Sequence, residues 1–446
     1  MSRNNHLFIL TKPNLSDSIW YPSFQAEPVS EPLKVLYGKG AEVVLSDGRT
    51  LIDAISSKWV NIHGHAHPLI SKAILDQSLQ IEHVVFSGFT HQPAIEFAQK
   101  LTHLLPSPLS RVFFSDNGST AIEIALKIAL QYHINNGDAG RQTFVAFEGA
   151  YHGETMGAMA LGASTRAKIP FSECMFDVKR FPFPETWILD TSTEKREDEV
   201  ISEMGSWLAE HSGIVAAVII EPLIQGAGGM RMCRSVFLEK LKSLCETFDI
   251  LLIFDEVITG FGRTGDYFAC MKSEVSPDFL CMSRGITGGY IPFAVTVTSE
   301  KVYEAFHTED TGNTFVHGHA YTANPLGCAA AIANLDIMQT EQKFRKVDTL
   351  QESFELRLLE RKDIEKVRRS GTVLAFDIPT EGKDCARFVS ELKNKFVDHG
   401  VMIQPINNTV YVSPPYCVTK EQLDKVYNAI FEVLNEIASE TGNSDS

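Results

Sequence analysis

Two carboxylates follow an apolar run in the segment ILLIFDEVITGFGRTG, residues 250–265. The run predicts that Asp255, the first of the two, lies at the carboxyl end of a buried strand. A buried carboxylate is costly unless a cation pairs with it. One candidate is a protonated pyridine nitrogen, because a carboxylate sustains the capacity of that ring to hold electrons. The other is Arg263, whose guanidinium can bind a carboxylate through two parallel hydrogen bonds, so an internal Asp255–Arg263 salt bridge is the alternative interpretation.

A second chemical feature is the strand–helix junction SDNGSTAIEIALKIA, residues 115–129. Asn117 is typical of a helix N-cap, and Gly118 lets a ligand approach the backbone closely. The free amides and the dipole at the start of the helix favour an anion such as a phosphate. A plain capped helix explains the motif equally well when it is taken alone.

Polar residues also follow two other apolar runs. Tyr151 and His152 come after TFVAFE, where an aromatic face could stack on a planar cofactor. Glu221 and Gln225 follow GIVAAVII and precede a glycine-rich turn. Ordinary surface loops remain the alternative for each motif.

Alternating strands and helices are expected to position these residues. The predicted strands are continuous apolar runs, as is typical of strands covered on both faces. They cover 111–116, 143–148, 213–222, 250–256, 278–282 and 293–299. Helical patterns at 119–133 and 235–248 lie between them. The alternation predicts an α/β fold with a mostly parallel central sheet in a large domain, residues 66–325, and a smaller α+β domain built from residues 1–65 and 326–446.

The composition restricts the class of partner. A formal net charge of −16 argues against nucleic acid and anionic membranes. The sequence has no window of about 18 apolar residues and no signal-peptide pattern at its start. Eight cysteines are scattered singly, which favours reduced thiols and a cytoplasmic location.

Taken together, six motifs resemble the class III aminotransferases, which have fold type I and use pyridoxal phosphate. They are NGST, AYHGETMGAM, EPLIQGAGGM, FDEVITGFGRTG, SRGITGGYIP and HGHAYTANPLGCAAA. They follow the order of the family over nearly the whole chain. SSKWVNIHGHAHP, TGGY and QGAGGM are most similar to the members that convert 8-amino-7-oxononanoate into the diamine precursor of biotin. TGGYIPFAVT and HGHAYTANP resemble the branch whose amino donor is lysine more than the branch that uses S-adenosylmethionine.

The resemblance implies a role for several residues at the cofactor. Gly118 and Ser119 are expected to hold the phosphate, and Asp255 to pair with the pyridine nitrogen. Tyr151 and Val257 are expected to lie against the ring. From the other subunit of a homodimer, the segment that contains Gly318, His319 and Ala320 is expected to reach the phosphate.

The substrate residues implied by the resemblance are Trp59 and Tyr151, which would wall the pocket, together with Arg263, Gly318 and Gln404. The partners it implies are a small-molecule amino donor and a keto acceptor.

The sequence departs from the family at the position of the lysine that forms the Schiff base with the cofactor, where Arg284 stands. A guanidinium stays protonated at working pH, so it is neither a nucleophile nor a proton shuttle. Further departures are Ala320 for a hydroxyl residue at the phosphate, Gln404 for the arginine that binds the substrate carboxylate, and Ser23 for an aromatic residue at the mouth of the site. We therefore expect a chain that folds, dimerises and binds pyridoxal phosphate without a covalent bond, with little or no turnover.

Three alternatives remain open at this stage. The spacing of His63, His65 and His67, repeated at His317 and His319, could bind zinc in a metal hydrolase. An aminotransferase fold kept only for binding would explain the departures. A class III reaction on another ω-amino substrate is the third alternative.

Overall fold

In this computed structural model of the chain, the described residues are 19–21, 32–162, 166–307, 311–380 and 385–442. Chain contacts divide the protein into two compact units, Met1–Lys34 and Val35–Ser446. The second unit holds the strands and helices described below. Ser23 lies outside the described residues, so its expected role is not addressed by the structure.

Sixteen strands occur in the described part of the chain. They are β1 (Val35–Lys39), β2 (Glu42–Leu45), β3 (Thr50–Asp53), β4 (Leu109–Ser115), β5 (Thr143–Phe147), β6 (Val178–Phe181), β7 (Val215–Ile220), β8 (Ile224–Gln225), β9 (Arg231–Met232), β10 (Leu251–Asp255), β11 (Phe279–Met282), β12 (Ala294–Ser299), β13 (Glu365–Ser370), β14 (Val373–Asp377), β15 (Val401–Met402) and β16 (Thr409–Val412).

The described part of the chain also contains thirteen helical segments. They are α1 (Ser56–Trp59), α2 (Pro68–Ser78), α3 (Gln92–Leu104), α4 (Gly118–Asn135), α5 (Met156–Leu161), α6 (Thr193–His211), α7 (Ser235–Thr247), α8 (Ala269–Lys272), α9 (Glu300–Glu304), α10 (Pro325–Glu341), α11 (Lys343–Leu359), α12 (Cys385–Asp398) and α13 (Lys420–Gly442). Short 3₁₀ helices lie at Arg166–Cys174, Ser212–Ile214, Arg284–Thr287 and Thr311–Asn313. In the described residues, no helix combines the length and apolar character needed to cross a membrane.

A seven-stranded sheet lies at the centre, in the order β4-β12-β11-β10-β7-β5-β6. β10 is parallel to β7 and β11, and β5 is parallel to β6 and β7. Only β12 is antiparallel to its neighbours, β11 and β4. Every residue of β7, β10 and β11 is buried, which explains why these strands read as continuous apolar runs. The predicted α/β class with a mostly parallel sheet is confirmed.

Strands from the two ends of the chain meet in a second sheet. β3 pairs in parallel with β15, with Val401 opposite Ile52, and the sheet has the order β1-β2-β3-β15. A third sheet, β13-β14-β16, lies in the C-terminal part. This pairing brings residues before 65 together with residues after 326. The division into two domains at those positions stays a prediction, because Val35–Ser446 forms one unit.

Segment α1 has a backbone that its sequence does not reveal. Ser56, Ser57, Lys58 and Trp59 have φ values of 49°, 46°, 65° and 75°, so this single turn is left-handed. Such a run is unfavourable for residues with a Cβ atom, and it must be held by the surrounding structure. The turn ends on Trp59, which is buried beside the central sheet.

Candidate active site

A cavity of about 460 Å³ opens at one edge of the central sheet. β4, β5, β7, β10 and β11 point the same way, and the residues after their carboxyl ends line the cavity, as is typical of open α/β sheets. The lining residues are Val60, Asp116, Asn117, Gly118, Ser119, Tyr151, His152, Glu221, Asp255, Val257, Ile258, Ser283, Arg284, Gly289, Ile291, Pro292 and Phe293. The cavity therefore collects polar groups from five separate strand ends.

The start of α4 forms an anion cradle on one wall. Asn117 caps the helix: its side chain accepts a hydrogen bond from the Thr120 amide at 3.1 Å, and its carbonyl accepts one from the Ala121 amide at 3.0 Å. The amides of Gly118 and Ser119 precede the first helical hydrogen bond, so they have no acceptor within the helix. Two N–H groups at the positive end of an 18-residue helix are thus available to an anion.

Two glycines lie in close contact with side chains at this cradle. A Cβ atom added to Gly118 would lie 2.7 Å from Cγ1 of Val257. A Cβ atom added to Gly153, which has φ +136°, would lie 2.2 Å from Oγ of Ser119. That oxygen accepts a hydrogen bond from the Glu154 amide at 3.1 Å, which leaves the Ser119 hydroxyl hydrogen free to donate. Packing against Val257 and Ser119 therefore requires glycine at both positions.

Asp255 pairs with His152 and not with Arg263. Oδ2 of Asp255 lies 2.7 Å from Nδ1 of His152, and its Oδ1 accepts the Val257 amide at 3.0 Å. The imidazole follows β5, which is separated from β10 by β7, and both strands end at the same edge of the sheet. Nε2 of His152 is buried without a hydrogen-bond partner in the described residues. The alternative of an internal Asp255–Arg263 salt bridge is wrong.

Glu221 is a third buried acid on this wall. Its carboxylate oxygens accept the amides of Tyr151 and Gly226, each at 3.0 Å. Burial raises the pKa of Glu221 to about 7, with a further contribution from the nearby charge of Asp255. Its engagement with two amides makes Glu221 a support for the Tyr151 backbone.

Arg284 enters the cavity from the end of β11. It is the first residue of a 3₁₀ turn and has φ 34°, an uncommon value for a residue with a side chain. The centre of its guanidinium lies 4.9 Å from the centroid of the Trp59 indole. Desolvation lowers its pKa from the ordinary value, although the charge of Asp255 opposes that shift. Among the described residues, none forms a hydrogen bond or an ion pair with this guanidinium.

Several predicted site residues lie outside the cavity of their own chain. Arg263 is buried, stacks on Tyr416, and donates from Nη1 to the carbonyls of Ser413 and Pro414 at 3.3 Å and 2.9 Å. Burial explains the lowered pKa of Arg263. Its guanidinium thus binds the backbone after β16, whereas the resemblance implied a substrate-binding role for Arg263. Gln404 is exposed and does not line the cavity.

The segment with Gly318 and Ala320 is exposed as well. His319 is the member of that segment that approaches the cavity, since its Nδ1 lies 3.3 Å from Oδ2 of Asp116. Trp59 lies behind Arg284, and its ring centroid is 6.0 Å from that of Tyr411. The predicted site residues that do line the cavity are Gly118, Ser119, Tyr151, Asp255, Val257 and Arg284.

The alternating histidines bind other side chains. Nε2 of His63 lies 2.7 Å from the Asn334 oxygen, and burial lowers the pKa of His63 to about 4. His65 bonds to Asp53 and His317 to Lys127, at 3.0 Å in each case. In the described ranges, no three His, Cys, Asp or Glu side chains are grouped so that they could hold a metal.

Comparison with known proteins connects this geometry to a family. The sequence pattern of the family described as Aminotransferase class-III matches residues 24–434. The chain belongs to the class III aminotransferases. The family assignment confirms the expected cofactor, pyridoxal phosphate.

Similar proteins cover most of the length of this class III aminotransferase. It is 45% identical to the adenosylmethionine-8-amino-7-oxononanoate aminotransferase of Synechococcus elongatus, over 94% of this chain and 99% of that one. It is 36% identical to the enzyme of the same name from Anoxybacillus flavithermus, over 95% and 96% of the two chains.

Solved structures confirm fold type I. The adenosylmethionine-8-amino-7-oxononanoate aminotransferase of Methanocaldococcus jannaschii superposes with a TM-score of 0.88 at 32% identity, over 94% of this chain and 97% of that one. An amine transaminase from an uncultivated Pseudomonas species, in its pyridoxal-phosphate-bound form, also gives 0.88, at 27% identity over 94% and 98%.

The residues present fit pyridoxal phosphate. The free amides at the start of α4 suit its phosphate, and glycines 118 and 153 keep the cradle open. The remaining lone pairs of the Asp255 carboxylate suit a protonated ring nitrogen. The misfit lies at Arg284, which supplies no primary amine.

Sequence reasoning gave no role to His152 in binding Asp255. The sequence does show a histidine directly after Tyr151, but the pairing of that histidine with Asp255 depends on the order of the strands in the sheet. Reasoning from the sequence likewise left Glu221 without a structural role.

Proposed function

We propose that this class III aminotransferase binds pyridoxal phosphate in the cavity and belongs to the group that aminates 8-amino-7-oxononanoate in biotin synthesis. The observation that carries the proposal is the combination of an open helix N-terminus and a buried carboxylate in one cavity. Bound there, the cofactor supplies a ring that accepts the electrons released when an amine substrate loses its Cα proton.

Each wall residue has a defined task in this proposal. Gly118 and Ser119 bind the phosphate, and Asp255 keeps the ring nitrogen protonated while His152 orients the carboxylate. Val257 supports one face of the ring. Burial raises the pKa of Tyr151 to about 12, so its hydroxyl stays protonated and can donate a hydrogen bond.

Arg284 limits the chemistry. Amino transfer needs a group near the reacting carbon that gains and loses a proton around neutral pH. A guanidinium stays protonated there, and desolvation does not lower its pKa enough to change this. We infer that the chain as written has little or no turnover and holds the cofactor without a covalent bond. The presence of Arg284 also favours a second candidate function, in which the aminotransferase fold is kept only for binding.

The amino donor is inferred from the relatives. Curated relatives at 32–45% identity carry adenosylmethionine in their names. These names favour S-adenosylmethionine as the amino donor. The motif TGGYIPFAVT had instead suggested lysine. Trp59 and Tyr151 remain the proposed substrate walls.

A homodimer is the proposed assembly. Apolar side chains are exposed around the segment that is expected to cross to the other subunit: Leu79, Val85, Phe89, Val316 and Tyr321. His83 and Tyr321 are in ring contact, so the two loops that carry these residues adjoin. An exposed apolar patch of this kind marks an interaction surface. Sedimentation of the purified chain tests the dimer, and the cytoplasmic location remains a prediction from the sequence.

The Arg284→Lys variant tests the proposed function. We expect it to transfer an amino group to 8-amino-7-oxononanoate at least about 100-fold faster than the unchanged chain, because it regains an acid–base group. The matched control is Arg284→Gln, which removes the charge without adding an amine and should stay inactive. The assay follows the diamine product with S-adenosylmethionine and with lysine as donors.

Other outcomes decide between the candidates. A Lys variant that binds pyridoxal phosphate but transfers nothing supports the binding protein, and one that accepts only another ω-amino substrate supports a different class III reaction. Equal rates for the unchanged chain and the Lys variant would show that Arg284 is not limiting.

A further inference from the structure

The guanidinium of Arg284 lies over an aromatic ring and leaves its hydrogen-bond donors free. Its central carbon is 4.9 Å from the centroid of the Trp59 indole. A guanidinium carries five N–H donors in a fixed planar fork. Because no described residue accepts from them, these donors are available to a ligand in the cavity that Arg284 lines.

Buried hydrogen bonds hold the backbone that carries Trp59. The indole ends the left-handed turn 56–59, and the buried carboxylate of Asp53 accepts bonds from the Ile55 and Ser57 amides at 3.2 Å and 2.9 Å. Trp59 is also in ring contact with Tyr411. The fold therefore sets the position of the indole that lies beside Arg284.

The acids of the same wall do not neutralise this cation by direct contact. Asp255 is engaged by the imidazole of His152 and the Val257 amide, and Glu221 by two backbone amides. Neither lies within ion-pair distance of Arg284. Within the described part of the chain, the Arg284 guanidinium therefore has no partner of opposite charge in this cavity.

We propose that Arg284 makes the site select the aldehyde form of the B6 phosphates, pyridoxal phosphate, and reject the amine form, pyridoxamine phosphate. This rests on the proposed function, because it assumes that the ring nitrogen faces Asp255. The 4-substituent is para to that nitrogen, so it lies on the opposite edge of the ring. An aldehyde or its hydrate, beside the anionic 3-oxygen, accepts hydrogen bonds from a guanidinium. An aminomethyl group is a cation and is repelled by it.

The three vitamer phosphates provide the test. Pyridoxal, pyridoxine and pyridoxamine 5′-phosphates share the phosphate and the ring, and they differ in carrying an aldehyde, a neutral alcohol or a cation. Equilibrium dialysis at neutral pH measures the affinity of each for the full chain. We expect the order pyridoxal, pyridoxine, pyridoxamine, with at least about a tenfold difference between first and last, because two like charges a few ångströms apart repel strongly in a partly desolvated site.

Neutral variants isolate the charge. In Arg284→Gln and Arg284→Met, the preference for the aldehyde over the amine should fall by at least about tenfold, mostly through tighter binding of the amine. The melting temperature of each variant verifies its folding. Equal or reversed affinities in the unchanged chain would overturn the proposal, and this comparison stands even if neither variant folds.

Different results would refute selection by Arg284 and the proposed cofactor site. If the unchanged chain retains none of the three vitamers, the cofactor assignment fails and takes the proposal with it. If all three bind with the same affinity, with and without the arginine, the cofactor site stands and selection by Arg284 is refuted. Retention of the alcohol is informative here, because pyridoxine phosphate cannot react with surface lysines.

Discussion

Replacing Asp53 by Asn tests how the left-handed turn is held in place. The buried carboxylate accepts four hydrogen bonds: from the amides of Ile55 and Ser57, from the Ser57 hydroxyl at 2.8 Å, and from Nε2 of His65 at 3.0 Å. Nδ1 of His65 faces the amide nitrogen of Asn61 at 3.1 Å, so the ring proton is on Nε2. An asparagine oxygen can keep the two backbone bonds, but its NH₂ group then faces the N–H of His65.

The expected loss of stability follows from comparing the cost of the left-handed turn with the hydrogen bonds that Asp53 accepts. Four residues with left-handed φ cost roughly 1–2 kcal/mol each, or about 4–8 kcal/mol for the turn. Four hydrogen bonds to a buried charge contribute about 1.5–3 kcal/mol each, which offsets that cost with only a small margin. Losing the charge and the His65 bond removes about 3 kcal/mol or more, so we expect the turn to relax and Trp59 to leave Arg284.

Two measurements check this prediction. The melting temperature of Asp53→Asn should fall clearly, whereas the matched control Asp47→Asn, at an exposed pair with Arg49, should change little. The preference for pyridoxal phosphate over pyridoxamine phosphate should fall in Asp53→Asn and stay unchanged in the control. If the two variants melt together and keep the same preference, Asp53 does not hold the turn and the reasoning is refuted.

Two further predictions concern the cavity walls. Gly153→Ala places a methyl group 2.2 Å from Oγ of Ser119 on a backbone with φ +136°. The affinity for pyridoxal phosphate, measured by dialysis, should therefore fall at least about tenfold. The control is Gly213→Ala, whose methyl group meets nothing within 4 Å, and equal affinities of the two variants would contradict the predicted clash. Burial raises the pKa of Glu221 from 4.5 to about 7, so its stabilising contribution is complete below pH 4.5 and is lost as the pH rises through about 7. Glu221→Gln should therefore gain stability relative to the unchanged chain as the pH rises from about 4.5 to about 8. A difference in melting temperature that is constant with pH would exclude this linkage.

Much of the central sheet could be predicted from residue patterns. The apolar runs at 250–256 and 278–282 correspond to β10 and β11, because strands buried on both faces carry apolar side chains at every position. The helix predicted from Ser119 begins one residue earlier, at Gly118. The short strands β8 and β9 went unpredicted, since two residues carry no periodicity.

Residues with burial or unusual backbone geometry were harder to place. Arg263 lies in a glycine-rich loop, and the sequence predicted either a bond to Asp255 or, through the family resemblance, a substrate role. Its burial depends on carbonyls after β16, about 150 residues later in the chain. The left-handed turn at 56–59 contains no glycine, and local sequence therefore indicates nothing unusual there.

By itself, the sequence determined the α/β class, the family and the strand-end positions of Gly118, Tyr151 and Asp255. These depend on residue types and short-range order along the chain. Only the tertiary structure decided that His152 pairs with Asp255, that Trp59 supports the guanidinium and that Arg263 is buried elsewhere. Those contacts join distant segments, and they arise from strand order and packing, which local patterns do not encode.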